Sequence, residues 1–156
     1  MRILIVEDDD EKCAKLLEFV HQKFNVLDVI SARSLHSGLL AIMNEKPNFI
    51  ILDMTMRTYD RSLIEDGGRP HPFGGREILR QMKRNRIATP VVVVTHFDRF
   101  GEEKDYMTLE QLKHELQSRF PNYLGAVQYR SNVDSWKVDL FAVMSAVVGV
   151  KLETGF

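Results

Sequence analysis

The sequence predicts an α/β fold, with five β–α units arranged around a parallel sheet. Three observations carry that prediction. Short apolar runs alternate with longer amphipathic segments along the chain. The runs Ile50-Ile51-Leu52 and Val91-Val92-Val93-Val94 are continuous rather than alternating, the pattern of strands covered by helices on both faces. No internal repeat, low-complexity tract or break in composition marks a second unit, so residues 1–156 are expected to form one domain.

The strands are expected at Arg2–Val6, Val26–Ser31, Phe49–Asp53, Pro90–Thr95 and Gly125–Tyr129. Between them, Glu11–Phe24 sets Cys13, Leu16, Leu17, Val20 and Phe24 at helical spacing. Ser34–Asn44 opens on a capping serine and turns Leu35, Leu39 and Ile42 inward. Gly75–Asn85 carries Ile78, Leu79 and Met82, and Thr108–Phe120 opens with the capping box Thr108-x-x-Gln111. Asp134–Leu152 reads as the last helix. The order is (βα)5, and right-handed crossovers leave few topologies.

Two segments exceed a minimal unit of this kind. Met56–Phe73, with Gly67, Gly68, Pro70 and Pro72, separates the third strand from its helix, and His96–Met107 follows the fourth strand. Connections of that length in a compact domain are usually functional or disordered.

Composition narrows the classes of function. A formal net charge of −1 argues against a general nucleic-acid binder. A lone Cys13 excludes an internal disulfide framework and a cysteine zinc cage. The apolar run from Ile3 leaves no room for a signal peptide, and no stretch approaches the ~18 uncharged apolar residues of a membrane span. The expectation is a cytoplasmic protein with no membrane and no nucleic-acid partner.

In an open parallel sheet the reactive groups gather beyond the carboxyl ends of the strands. Those ends present Glu7, Asp8, Asp9 and Asp10 after the first strand and Asp53 after the third. Thr95 ends the fourth and Arg130 follows the fifth. Asp9 and Asp10 suit the cap and first turn of a helix. Three carboxylates from two neighbouring strands would repel one another unless a cation sat among them, and oxygen-only ligands suit Mg²⁺. His71 and His96 read as ordinary loop residues rather than metal ligands.

The ordered set Ile3-Leu4-Ile5-Val6-Glu7-Asp8, Phe49-Ile50-Ile51-Leu52-Asp53-Met54 and Thr89-Pro90-Val91-Val92-Val93-Val94-Thr95 resembles a response-regulator receiver domain, across residues 1 to about 152. The resemblance implies a doubly wound flavodoxin-like fold, strand order 2-1-3-4-5. It implies that Asp53 is the phosphoacceptor, served by a histidine kinase or phosphotransfer protein. Glu7 and Asp8 would then position Mg²⁺ with Asp53 and the backbone carbonyl of Thr55, and Thr95 would bond the phosphoryl oxygen. The chemistry is coherent: a carboxylate nucleophile, an in-line displacement, and a cation at the phosphoryl oxygens. The product would be a phosphorylation switch, not an enzyme, acting on a downstream protein target through altered contacts.

The sequence departs from that family at three places. Where the family carries Lys-Pro after the fifth strand, Arg130-Ser131 stands here, and Arg130 is expected to keep the positive charge. His96 and Phe97 replace a small residue after Thr95 and should narrow the approach of water. The connections near 56–73 and 96–107 look like insertions. The last helix carries Leu140, Phe141, Met144, Val147 and Val148 in one stripe, extended by Trp136, Val143 and Val150. That is a homodimer contact or a broader core face. Two other readings compete: a receiver-type adaptor that never accepts phosphate, and a haloacid-dehalogenase-type phosphohydrolase built on Asp8-x-Asp10.

Overall fold

The structure, a computed structural model, describes residues 1–26, 28–62, 70–102 and 104–151. Ten elements alternate along it: β1 (Arg2–Val6), α1 (Asp10–Lys23), β2 (Asp28–Ala32), α2 (Leu35–Glu45), β3 (Phe49–Leu52), α3 (Gly74–Arg84), β4 (Val91–Thr95), α4 (Leu109–Arg119), β5 (Tyr123–Gln128) and α5 (Ser135–Met144). The five strands form one parallel sheet in the order β2-β1-β3-β4-β5. This is the doubly wound flavodoxin-like arrangement.

The continuous apolar runs feed two cores, because successive side chains of a strand point to opposite faces. Leu4, Val6, Ile50, Leu52, Val91 and Val93 pack against α2, α3 and α4 through Ile42, Ile78, Leu79, Leu112 and Leu116. Ile3, Ile5, Phe49, Ile51, Val92 and Val94 pack against α1 and α5 through Leu16, Phe19, Val20, Trp136 and Leu140. Helix starts follow their capping chemistry. Asp9 accepts from Lys12 N–H, and capping boxes close Ser34 on Ser37 and Thr108 on Gln111.

The strand and helix limits fall close to those expected, with two informative differences. β5 begins at Tyr123, two residues early, because the ladder with β4 shifts register between Val91 and Val92 and passes over Leu124. α5 stops at Met144, well short of Leu152, which itself lies outside the described residues. The chain turns back there. Val150 bridges Phe24, Asn25 N–H donates to Gly149 O at 2.8 Å, and Lys151 N–H donates to Lys23 O at 2.8 Å. A helix C-terminus leaves carbonyls without intrahelical partners, and this tail satisfies them at the end of α1. The wide apolar stripe therefore divides. Trp136, Leu140, Met144 and Val148 are buried, whereas Val147 and Val150 are exposed.

Both long connections are pinned at their bases by short antiparallel ladders. Met56–Arg57 pairs with Pro70–His71, and Arg99–Phe100 pairs with Met107–Thr108. Residues 63–69 and 103 lie outside the described residues. The two connections meet through Phe73 and Phe100, whose ring centroids are 6.3 Å apart, and the Arg76 guanidinium covers the Phe73 ring.

Candidate functional site

β1 and β3 are neighbours from which the chain winds in opposite directions, so the crevice beyond their carboxyl ends is the topological switch point of the sheet. Their register pairs Ile3 with Phe49 and Val6 with Leu52. Carried one residue further, it sets Glu7 abreast of Asp53, and Asp53 N–H donates to Val6 O at 3.0 Å. The β3–β4 register pairs Leu52 with Val93, which sets Asp53 abreast of Val94. Strand alternation turns this row toward the face covered by α1.

Glu7, Asp8 and Asp53 each offer an oxygen, and these atoms lie within 4.8 Å of one another. Glu7 and Asp53 are buried and Asp8 is half-buried. Burial, then the Asp53 charge, raises the pKa of the Glu7 carboxyl, and the neighbouring Lys12 ammonium pulls it back down. The same two causes raise Asp8, opposed by the Arg57 N–H that donates to its Oδ2 at 3.2 Å. An all-oxygen set with one face open to solvent fits a hard divalent cation that keeps several waters.

One cation already sits in the row. Lys12, in the first turn of α1, is 1% exposed, and its ammonium lies 2.7 Å from Glu7 Oε2 and 3.3 Å from Asp53 Oδ1. It also donates to Val94 O at 2.7 Å. Burial alone would lower its pKa, but the carboxylates of Asp53 and Glu7 outweigh that and hold it charged. The sequence reading did not anticipate this residue. Its signal was spacing: Lys12 precedes Leu16 by four and Phe19 by seven, on the buried stripe of the helix.

The remaining expected residues fall as follows. Asp53 Oδ1 accepts from Met54 N–H at 2.8 Å, and Thr55 Oγ1 donates to Pro72 O at 3.1 Å. Thr95 is fully buried; its hydroxyl accepts from Phe97 N–H at 3.3 Å and its carbonyl from Tyr129 N–H at 2.8 Å. His96 stands edge-on to the Tyr129 ring, with Nε2 3.8 Å from Asp9 Oδ2. Burial, then the Lys12 charge, lowers its pKa. Phe97 is 48% exposed. Arg130 was expected to supply the charge at Asp53, but it is exposed and its Nη2 donates to Gln128 Oε1 at 3.4 Å. Among the described residues no ion pair joins it to Glu7, Asp8 or Asp53. Asp10 is likewise exposed and pairs with Arg33 at 2.7 Å. His71 Nδ1 accepts from Phe73 N–H at 3.1 Å, inside its own turn.

A polar groove of about 230 Å³ opens beside Asp8, lined by Asp10, Arg33, Arg57, Asp60 and Arg61. Asp60 Oδ1 accepts from Ser37 Oγ at 2.7 Å and His36 N–H donates to Thr58 O, so the first connection closes over the start of α2. Among the described residues, no helix is long and apolar enough to cross a membrane.

No family model matches the chain. It is 39% identical over 140 residues to the uncharacterized protein y4jR of Sinorhizobium fredii, covering 88% of this chain and 92% of that relative. It is 29% identical over 143 residues to the Detocs response regulatory protein DtcB of Enterobacter cloacae, covering 90% and 95%. Among solved structures, the Mn²⁺-bound form of response regulator Rcp1 matches with a TM-score of 0.63 at 20% identity, over 97% of this chain and 99% of that one. A CheY-like response regulator receiver domain protein from Methanospirillum hungatei matches with a TM-score of 0.60 at 21% identity, over 93% and 90%.

Proposed function

We propose that the chain is a receiver of the response-regulator family, acting in a two-component phosphorelay and accepting a phosphoryl group on Asp53, a reading supported by its 29% identity to a response regulatory protein and by its fold. The observation that carries the reading is the Asp53 carboxylate at the switch point. Its Oδ1 is held by Met54 N–H and Lys12, while Oδ2 has no hydrogen bond or ion pair among the described residues. A carboxylate held by one oxygen presents the other as a nucleophile of fixed direction.

The donor is a phosphohistidine on a histidine kinase or phosphotransfer protein. Oδ2 attacks phosphorus, the P–O bond forms as the P–N bond breaks, and the departing imidazole nitrogen keeps the electron pair and takes up one proton. Asp8, Asp53 and the Thr55 carbonyl, with Glu7 behind them, would hold Mg²⁺, which when bound neutralises charge at the phosphoryl oxygens. Thr95 exchanges its bond from Phe97 N–H for one to the phosphoryl group. The connection 96–107 then rearranges, and a downstream protein reads the change. In this reading residues 1–156 act as one unit, with 56–73 and 96–107 as insertions bordering the site.

The test is incubation with acetyl phosphate or phosphoramidate and Mg²⁺, followed by intact mass. One phosphoryl group is expected, and none in Asp53→Asn. Unchanged mass with every donor would overturn the reading in favour of a phosphate-independent adaptor, and modification mapped to Asp8 would favour a phosphohydrolase.

A further inference from the structure

We propose that Lys12, reaching the site from α1, is the cation that receives the phosphoryl group on Asp53, and that it couples the group to β4 by releasing the carbonyl of Val94. This inference rests on the phosphoacceptor reading of Asp53. It follows from an ammonium enclosed by three oxygens. Lys12 Nζ donates to Val94 O at 2.7 Å and lies at ion-pair distance from two carboxylate oxygens, Glu7 Oε2 at 2.7 Å and Asp53 Oδ1 at 3.3 Å. Tyr129 closes the remaining side, its ring centroid 5.6 Å from Nζ. A phosphoryl group on Asp53 adds a dianion beside a buried ammonium that three oxygens and a ring already surround, so one present neighbour must be given up.

Charge decides which one. Glu7 is a carboxylate in a buried pair, and Asp53 carries the incoming group. Val94 O alone is a neutral backbone acceptor, without the charge–charge attraction that holds the two carboxylates to the ammonium. Val94 directly precedes Thr95, whose carbonyl holds Tyr129 N–H and whose hydroxyl holds Phe97 N–H. A displaced Val94 carbonyl therefore acts on both bonds, and through Phe97 on the connection 96–107. Arg130, exposed and bonded to Gln128, has neither contact.

Beryllofluoride with Mg²⁺, a phosphoryl mimic that needs no donor protein, is the probe. In the wild-type chain the ¹⁵Nζ resonance of Lys12 and the amide resonances of Thr95 and Phe97 should all shift on its addition. Lys12→Met leaves Glu7 and Asp53 buried together and endangers folding, so Lys12→Met is also made with Glu7→Gln, and Glu7→Gln alone is the reference. Relative to that reference, the double variant should take up phosphoryl from phosphoramidate at least about tenfold more slowly and should lose the Thr95 and Phe97 shifts. An unmoved Lys12 ¹⁵Nζ signal in a wild-type chain that binds the probe would overturn the inference without any variant. So would retention of rate and shifts in the double variant, or their loss in Arg130→Met. A wild-type chain that takes neither beryllofluoride nor phosphoryl at Asp53 would instead overturn the phosphoacceptor reading.

Discussion

Gly75→Ala tests whether the seam between β3 and α3 sets the position of Asp53. Gly75 is the second residue of α3 and is buried, and its N–H donates to Met54 O at 2.9 Å. A Cβ at this position would lie 2.4 Å from the Asp53 carbonyl oxygen, 3.0 Å from Met54 Cα and 3.2 Å from Met54 Cε. Ordinary contact begins near ~3.5 Å, so the seam must open by roughly 1 Å. The nearest atoms are backbone and cannot swing aside. Overpacking of a close-packed interior costs about 1–3 kcal/mol, while Ala recovers up to about 1 kcal/mol of glycine's disadvantage in a helix. Because the contact is with backbone, the cost falls in the upper part of that range, and a full recovery of about 1 kcal/mol leaves a loss of about 1–2 kcal/mol, or roughly 2–8 °C for a domain of this size.

The assay is urea unfolding followed by the fluorescence of the buried Trp136, with two other glycines as internal scale. A Cβ on Gly149 meets nothing within 4 Å, so Gly149→Ala should stay within about 0.5 kcal/mol of wild type. A Cβ on Gly74 meets Met56 Cγ at 2.7 Å, a side chain that can rotate, so Gly74→Ala should fall between. If Gly75→Ala is as stable as Gly149→Ala, the seam is not closed by this contact and the reasoning fails.

Two further outcomes are expected. Mg²⁺ should perturb amide resonances near Asp8 and Thr55 and bind weakly, since few protein oxygens replace its waters; Asp8→Ala should abolish the response, and an unresponsive wild-type chain would count against the acidic set as its site. On the far side of α3, Glu77 accepts from Arg80 Nε at 2.8 Å and from Gln81 at 3.1 Å, and the Arg80 hydrogen bonds lower its pKa from 4.5 to about 2. A depressed carboxyl contributes stability above its unfolded value that fades as pH falls through its folded one. The thermal-stability gap between wild type and Glu77→Gln should therefore shrink between pH 4.5 and about 2, remaining small throughout because the pair is partly exposed; a gap independent of pH would refute the assignment.

The sheet was legible in the sequence because continuous apolar runs such as Val91–Val94 require cover on both faces, and two cores supply it. The capping box at Thr108 and the capping role of Ser34 were legible for a similar reason: a cap acts on groups within three residues of it. The end of α5 was not, because helical periodicity persists through Val147 and Val148. What stops the helix is a set of carbonyls on α1, more than a hundred residues earlier in the chain. Arg130 was read by position alone: it follows the fifth strand, but the direction of its side chain depends on Gln128 and on solvent.

The acidic set at the strand ends could be named from the sequence, whereas the cation among them needed two registers at once. Knowing that Glu7, Asp53 and Val94 lie in one row requires the pairings β1–β3 and β3–β4, which no local pattern contains. Knowing that Lys12 faces the row requires α1 to lie on that side of the sheet. Taken alone, a lysine in the first turn of a helix reads as a solvated charge at an unfavourable end of the dipole. Its burial reverses that inference: a 1% exposed ammonium persists only where carboxylates hold it charged. The physical requirement was visible even so. Three carboxylates converging from two adjacent strands demand positive charge, and a lysine on an apolar helical stripe, four residues before Leu16, was available to meet it.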